Sequence, residues 1–143
     1  MLSAGTPLKR TLSLFDSVPE DYLHFGAGDQ FRAKEVQGFL GLSREDVARI
    51  AAVSGKSVRF DDAMPEPVRE RLEEIAQTIN MVAGVFAGDV NKTVAWFKAR
   101  NPLLGDVSPR DMIRLGRYEK LRKFIINAMM EARDASRPPA PTH

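Results

Sequence analysis

The longest run of regularly spaced apolar positions lies at 68–86, where Val68, Leu72, Ile75, Ile79, Val82 and Phe86 recur at steps of four and three. That 3.5-residue stripe predicts a helix over residues 66–87, either a central core helix or a short coiled-coil seam. Gly84 interrupts it at a cost of about 1 kcal/mol against alanine, so a close helix crossing is expected there. Gly88 is a natural stop. Upstream, Phe31, Val36, Phe39 and Leu40 mark a helix over 30–40. Ser43, with Asp46 three residues on, is an acidic capping box opening a helix whose apolar face is Val47, Ile50 and Ala51. Ser17 and Glu20 form the same box ahead of a short helix through Tyr22 and Phe25, ended by Gly26 or Gly28. Ser54 reads as the N-cap of a further short helix holding Val58 and Phe60, before Pro65 and Pro67 break the pattern. Downstream, Val90, Val94 and Phe97 share a face that Asn101-Pro102 terminates. Ser108, Pro109 and Asp111 open the next helix and Gly116 closes it. A last helix over 117–132 buries Leu121, Phe124, Ile125, Ala128 and Met129. The three prolines of "SRPPAPTH" (136–143) exclude a helix at that end. No segment reads as a strand and no repeat is present, so the expected fold is all-α.

A chain of 143 residues corresponds to one domain, or to two small helical modules sharing a core. The expected division is an N-terminal arm and short helix (1–29), a helix-turn-helix region (30–64), the long helix with a C-terminal helical domain (65–131), and a proline-rich tail (132–143). With 43% hydrophobic and 28% charged residues the chain is not globally disordered. The absence of cysteine removes disulfides, thiolate nucleophiles and cysteine-based zinc sites. No apolar run approaches the roughly 18 residues that span a bilayer, and the first 17 residues lack the apolar core of a signal peptide. A cytoplasmic address is expected. Basic residues number 21 against 19 acidic, and a net charge of +2 does not by itself mark a nucleic-acid binder. His24 and His143 have no second ligand at metal-binding spacing. Glu66, Glu70, Glu73 and Glu74 read as a solvated helix face. "GAGDQ" lacks the preceding strand and the lysine or third glycine of a phosphate loop. These readings point away from an enzyme, a metal site or a cofactor.

"DVARIAAVSGKSVRF" (46–60) resembles the helix-turn-helix of Xre-like repressors. Val47-Ala48 hold the small apolar pair of the first helix, Val53-Ser54 the buried turn residue and N-cap, and Ser57-Val58-Arg59 the start of the recognition helix. Ala52 stands where the pattern's turn carries glycine. Ser54, Gly55, Lys56, Ser57 and Arg59 are the residues that such a motif would turn toward DNA. Asp61 and Asp62 follow at once. Two cations supply few phosphate contacts, so a dimer or larger assembly would be needed to add more.

"AWFKARNPLLGDVSPRDMIRLGRYEKL" (95–121) resembles the toxin-binding domain of the Xre/MbcA/ParS family of bacterial antitoxins. The matching positions are Trp96, Asn101, Pro102, Leu104, Gly105, Pro109, Met112-Ile113 and Gly116. Asp106 replaces a second glycine frequent in the family. With the preceding helix-turn-helix and long helix the resemblance covers residues 34–128. Physical chemistry gives the same block a structural role. Pro102 holds Asn101 extended, Gly105 permits a positive φ, and Ser108-Pro109 restart a helix, which together set an interhelical angle. Trp96 and Phe97 are adjacent, so one turn cannot point both into one core. Arg110, Arg114, Arg117, Lys120, Arg122 and Lys123 outnumber Asp111 and Glu119 and predict a cationic surface, beside Tyr118, suited to an acidic or NAD-binding cleft. The resemblance implies an antitoxin that needs no cofactor and whose partner is a RES-type toxin consuming NAD or using it for ADP-ribosylation. By the same resemblance the C-terminal domain covers the toxin's NAD pocket. The tail lies outside the resemblance and is expected to extend into the cleft on its position and its resistance to helix formation alone. The helix-turn-helix would let a homodimer or larger complex repress its own operon by binding operator DNA. The alternative is a stand-alone helix-turn-helix repressor dimerising through the 68–86 stripe.

Overall fold

The structure, a computed structural model, describes residues 19–58 and 64–135. Among them run six α-helices: α1 (Ala33–Leu40), α2 (Arg44–Ala51), α3 (Glu66–Val85), α4 (Val90–Lys98), α5 (Pro109–Arg114) and α6 (Tyr118–Ala135). Single 3₁₀ turns stand at Gly28–Gln30, Gly55–Ser57 and Pro102–Leu104. Asn101 and Val107 form an isolated antiparallel bridge, and the regular structure is otherwise helical among the described residues. The fold is all-α. No described helix is long and apolar enough to cross a membrane.

α3 is the axis. Val68, Leu72, Ile75, Ile79 and Val82 are buried as the stripe predicts, and so are Ala76, Thr78, Asn80 and Ala83. Burial this wide belongs to a core helix rather than to a coiled-coil seam. α1, α2, α4 and α6 all pack on it, and α1 also touches α4. A single buried cluster runs from Phe25 through Val36, Val47, Ile75 and Phe97 to Ile113 and Ile125. The expected division at residue 64 is therefore crossed by one core.

Local caps form as expected at Ser43, whose hydroxyl accepts from the Asp46 N–H at 3.0 Å while the Asp46 carboxylate accepts from the Ser43 N–H at 3.0 Å. Elsewhere tertiary contacts override local signals. No helix forms through Tyr22 and Phe25. Instead the Asp21 carboxylate accepts from the N–H groups of Phe25 and Gly26, each at 2.9 Å. Asn80 of α3 donates to Asp21 at 3.0 Å and accepts from the Leu23 N–H at 3.1 Å, which ties this segment to the axis. The close approach at Gly84 is made by this segment rather than by a crossing helix. A Cβ there would meet the Tyr22 ring at 3.5 Å, and one at Gly88 would meet it at 2.9 Å.

The helix expected from Ser54 is one 3₁₀ turn. Ser54 caps it by accepting from the Lys56 N–H, and Val58 is already extended at φ −79°, ψ 114°. Val58 is 1% exposed, and burying its β-branched side chain favours the extended backbone over a second helical turn. Val90 is exposed, because Asp89 caps α4 and Thr93 with Phe97 take the buried face. Ala128 is exposed as well. The Ser17 box, the arm before residue 19, Arg59, Phe60, Asp61, Asp62 and the 136–143 tail lie outside the described residues.

Candidate protein-docking surface

Residues 101–108 make a rigid joint between α4 and α5. Asn101 is extended (φ −126°, ψ 115°) ahead of Pro102, and its side chain accepts from the Leu103 N–H at 2.9 Å. The chain then reverses through two left-handed residues, Gly105 at φ +76° and Asp106 at φ +65°. The Asp106 N–H donates to the Asn101 carbonyl at 3.0 Å, and the Asn101 N–H donates to the Val107 carbonyl at 3.2 Å. Asp106 thus adopts the glycine-like conformation that its place in the block requires. Ser108 caps α5 through the Asp111 N–H at 3.1 Å. The Asp111 carboxylate turns to Arg114 at 3.2 Å instead of back to the cap. Pro109 is buried, and Gly116 closes α5 at φ +79°. Phe97 points into the core, while Trp96 stays half-buried, edge-on to it at 5.1 Å.

The predicted cationic surface divides. Arg110 donates from Nε to the Leu40 carbonyl and from Nη2 to the Gly41 carbonyl at 3.1 Å, capping the end of α1. Arg114 donates to the 8%-exposed Asp46 carboxylate of α2 at 3.2 Å. Arg49 donates to the Arg114 carbonyl at 2.7 Å, closing the same joint. Burial alone would raise the Asp46 carboxyl, but bonds from the Ser43 N–H and side chain and the Arg114 guanidinium hold it below the usual value. Tyr118 is a core residue and no surface contact. It is 3% exposed, donates to the Glu74 carbonyl at 2.9 Å, and lies 2.8 Å from the Thr78 hydroxyl. Burial pushes its hydroxyl up to about 12. Arg122 is half-buried and near enough to Tyr118 to act on it electrostatically. Lys123 is exposed.

Arg117 and Lys120 remain together. With Leu103, Leu104, Gly105, Val107, Met112 and Phe124 they line a cleft of about 440 Å³ between the joint and α6. Leu103, at the tip of the joint, is 78% exposed, and no carboxylate pairs with either cation among the described residues. Phe124 also lines a second, apolar groove with Val82, Val85, Phe86, Trp96, Ala128 and Met129. The two clefts share Phe124; Arg117 and Lys120 line the first, and only apolar side chains line the second. Leu103 and Val85 are the residues that sequence reasoning missed. A leucine between proline and glycine is a recognisable signal for the first, because that turn cannot bury both of its leucines. Val85 carries no such mark.

In the connection between α2 and α3, Ser54 and Lys56 are exposed. Ser57 ends the 3₁₀ turn, and Arg59 lies outside the described residues. Neither Ser54 nor Lys56 lines either cleft. No family model matches the chain, and no curated protein or solved structure is significantly similar to it.

Proposed function

We propose that this chain is an antitoxin of the Xre/MbcA/ParS type, which neutralises a RES-type toxin by seating the joint and α6 over its NAD pocket. The observation that carries this reading is the surface made by the Trp96–Gly116 block. A 78%-exposed leucine projects from a hydrogen-bonded turn, flanked by Arg117 and Lys120. An exposed apolar anchor on a preorganised turn loses little conformational entropy on docking. Two cations beside it suit a pocket that binds the phosphates of a dinucleotide or is lined by carboxylates. Inhibition is then steric and electrostatic, with no bond made or broken.

Operator binding is the second part of the proposal and rests on Ser54, Lys56, Ser57 and Arg59. Two cations, Lys56 and Arg59, supply few phosphate contacts and a weak, salt-sensitive attraction, so repression belongs to an assembly presenting several copies. The test is co-expression with the product of the adjacent reading frame. We expect co-elution and growth rescue by the wild type, and loss of both with Leu103→Glu and Arg117→Glu at unchanged helicity. Rescue that survives both substitutions would overturn the assignment of this surface. A neighbour that neither co-elutes nor needs neutralising would overturn the function.

A further inference from the structure

The 68–86 stripe is consumed by the core, so it is not free to join two copies. An unpartnered helix face does exist on α6. Lys120, Phe124, Ala128 and Glu131 follow one another at steps of four, four and three, and Ala132 stands four beyond Ala128, so they lie toward one side of the helix. Lys120, Ala128, Glu131 and Ala132 are exposed and Phe124 is half-buried. Across the groove from them stands Val85, 63% exposed, with Trp96 and Phe86 in the wall. Every residue lining this groove is apolar. Lys120 and Glu131 enter no ion pair among the described residues. They lie about 16 Å apart along the helix, with the apolar positions between them.

The pattern is self-complementary. When a second α6 is laid antiparallel, the register that sets Lys120 opposite the second copy's Glu131 also sets Phe124 opposite its Ala128. One two-fold axis near the middle of α6 therefore produces two ion pairs and two ring-into-gap contacts together. The two alanines let the helix axes come close, and the aromatic ring fills the space they leave. A parallel arrangement would instead set lysine against lysine. We propose that the chain forms a two-fold symmetric homodimer through antiparallel α6 helices, in this register, with the groove beside Val85 and Trp96 covered by the second copy. An isologous contact of this kind closes on itself and yields a dimer rather than a filament.

The proposal does not rest on the antitoxin reading, but it uses the same Lys120 and Phe124, so a dimer in this register must separate before α6 seats on a toxin; the antitoxin tests fall instead on Leu103 and Arg117. It is tested by sedimentation velocity of the full chain over a concentration series, with circular dichroism on every variant. The wild type is expected to show a reversible monomer–dimer equilibrium. Glu131→Lys and Lys120→Glu should each weaken it by about tenfold, because each replaces two attractions with two repulsions. The double variant K120E/E131K should recover to within about threefold of wild type, since it restores both pairs with the charges exchanged. Ala128→Trp, which fills the gap, should give monomer at unchanged helicity. A wild type that is monomeric at every concentration would overturn the proposal, as would a dimer indifferent to both single charge reversals or a double variant no stronger than the singles.

Discussion

The Tyr118 hydroxyl shows how far a residue's role depends on what surrounds it. It is held between the Glu74 carbonyl and the Thr78 hydroxyl inside the bundle, with the Arg71 guanidinium 5.2 Å from its ring. Because burial moves the phenol up to about 12, folding and titration are linked. Above pH 10 the unfolded chain gives up this proton while the folded chain keeps it, so stability is full below that pH and falls as pH rises toward 12. The loss amounts to about 2–3 kcal/mol across the window. Tyr118→Phe should cost about 1 kcal/mol at neutral pH through the lost hydrogen bond and should flatten the alkaline limb of a stability-versus-pH curve measured by urea unfolding. An unchanged limb would show that another group titrates there. Arg110 and Arg114 make the same point. Their spacing predicts a surface, but their partners, the Leu40 carbonyl and the Asp46 carboxylate, stand about seventy positions earlier in the chain. Nothing local announces them.

At the scale of elements, what forms is decided by whether the deciding contact is near in sequence. The Ser43–Asp46 box, the Ser108 cap and the stop at Gly116 are local, and each was readable from residue type and spacing. The segment before α1 was not, because Asn80, 59 positions beyond Asp21, holds it in a loop. The turn after Ser54 was misread for a similar reason, since Val58 is drawn into the core. Ala52 and Gly105 form a matched pair of tests for the backbone argument. Ala52 closes α2 at φ +58° without glycine, and Gly105 closes the Pro102–Leu104 turn at φ +76° with open space around its Cα. Ala52→Gly should therefore stabilise by about 0.5–1 kcal/mol, and Gly105→Ala should destabilise by about 1 kcal/mol, both through backbone strain. Thermal midpoints moving in opposite directions would bear this out; the same sign for both would refute it.

At the scale of the molecule, the all-α class and the order of its helices were legible because each long helix writes its own periodicity. A shared core was among the expectations from chain length, but the contacts that build it were not legible, because they join distant segments. Phe25, Val47, Phe97 and Ile125 belong to one buried cluster. Arg110 reaches α1, and Arg114 and Arg49 bind α5 to α2. A shared core with charged ties at its seam leaves neither half a private hydrophobic interior, so the halves should unfold together. The chain supplies a local reporter, since Trp96 is its single tryptophan and sits edge-on to the buried Phe97 in the C-terminal half. Far-UV circular dichroism reports all six described helices at once. Urea titrations followed by the two signals should give one midpoint and one slope, and Asp46→Ala should shift both curves by the same amount. A tryptophan transition left in place while the helical signal moved would mean that the α1–α2 half melts alone. The α2–α5 ties would then be surface decoration on two independent units.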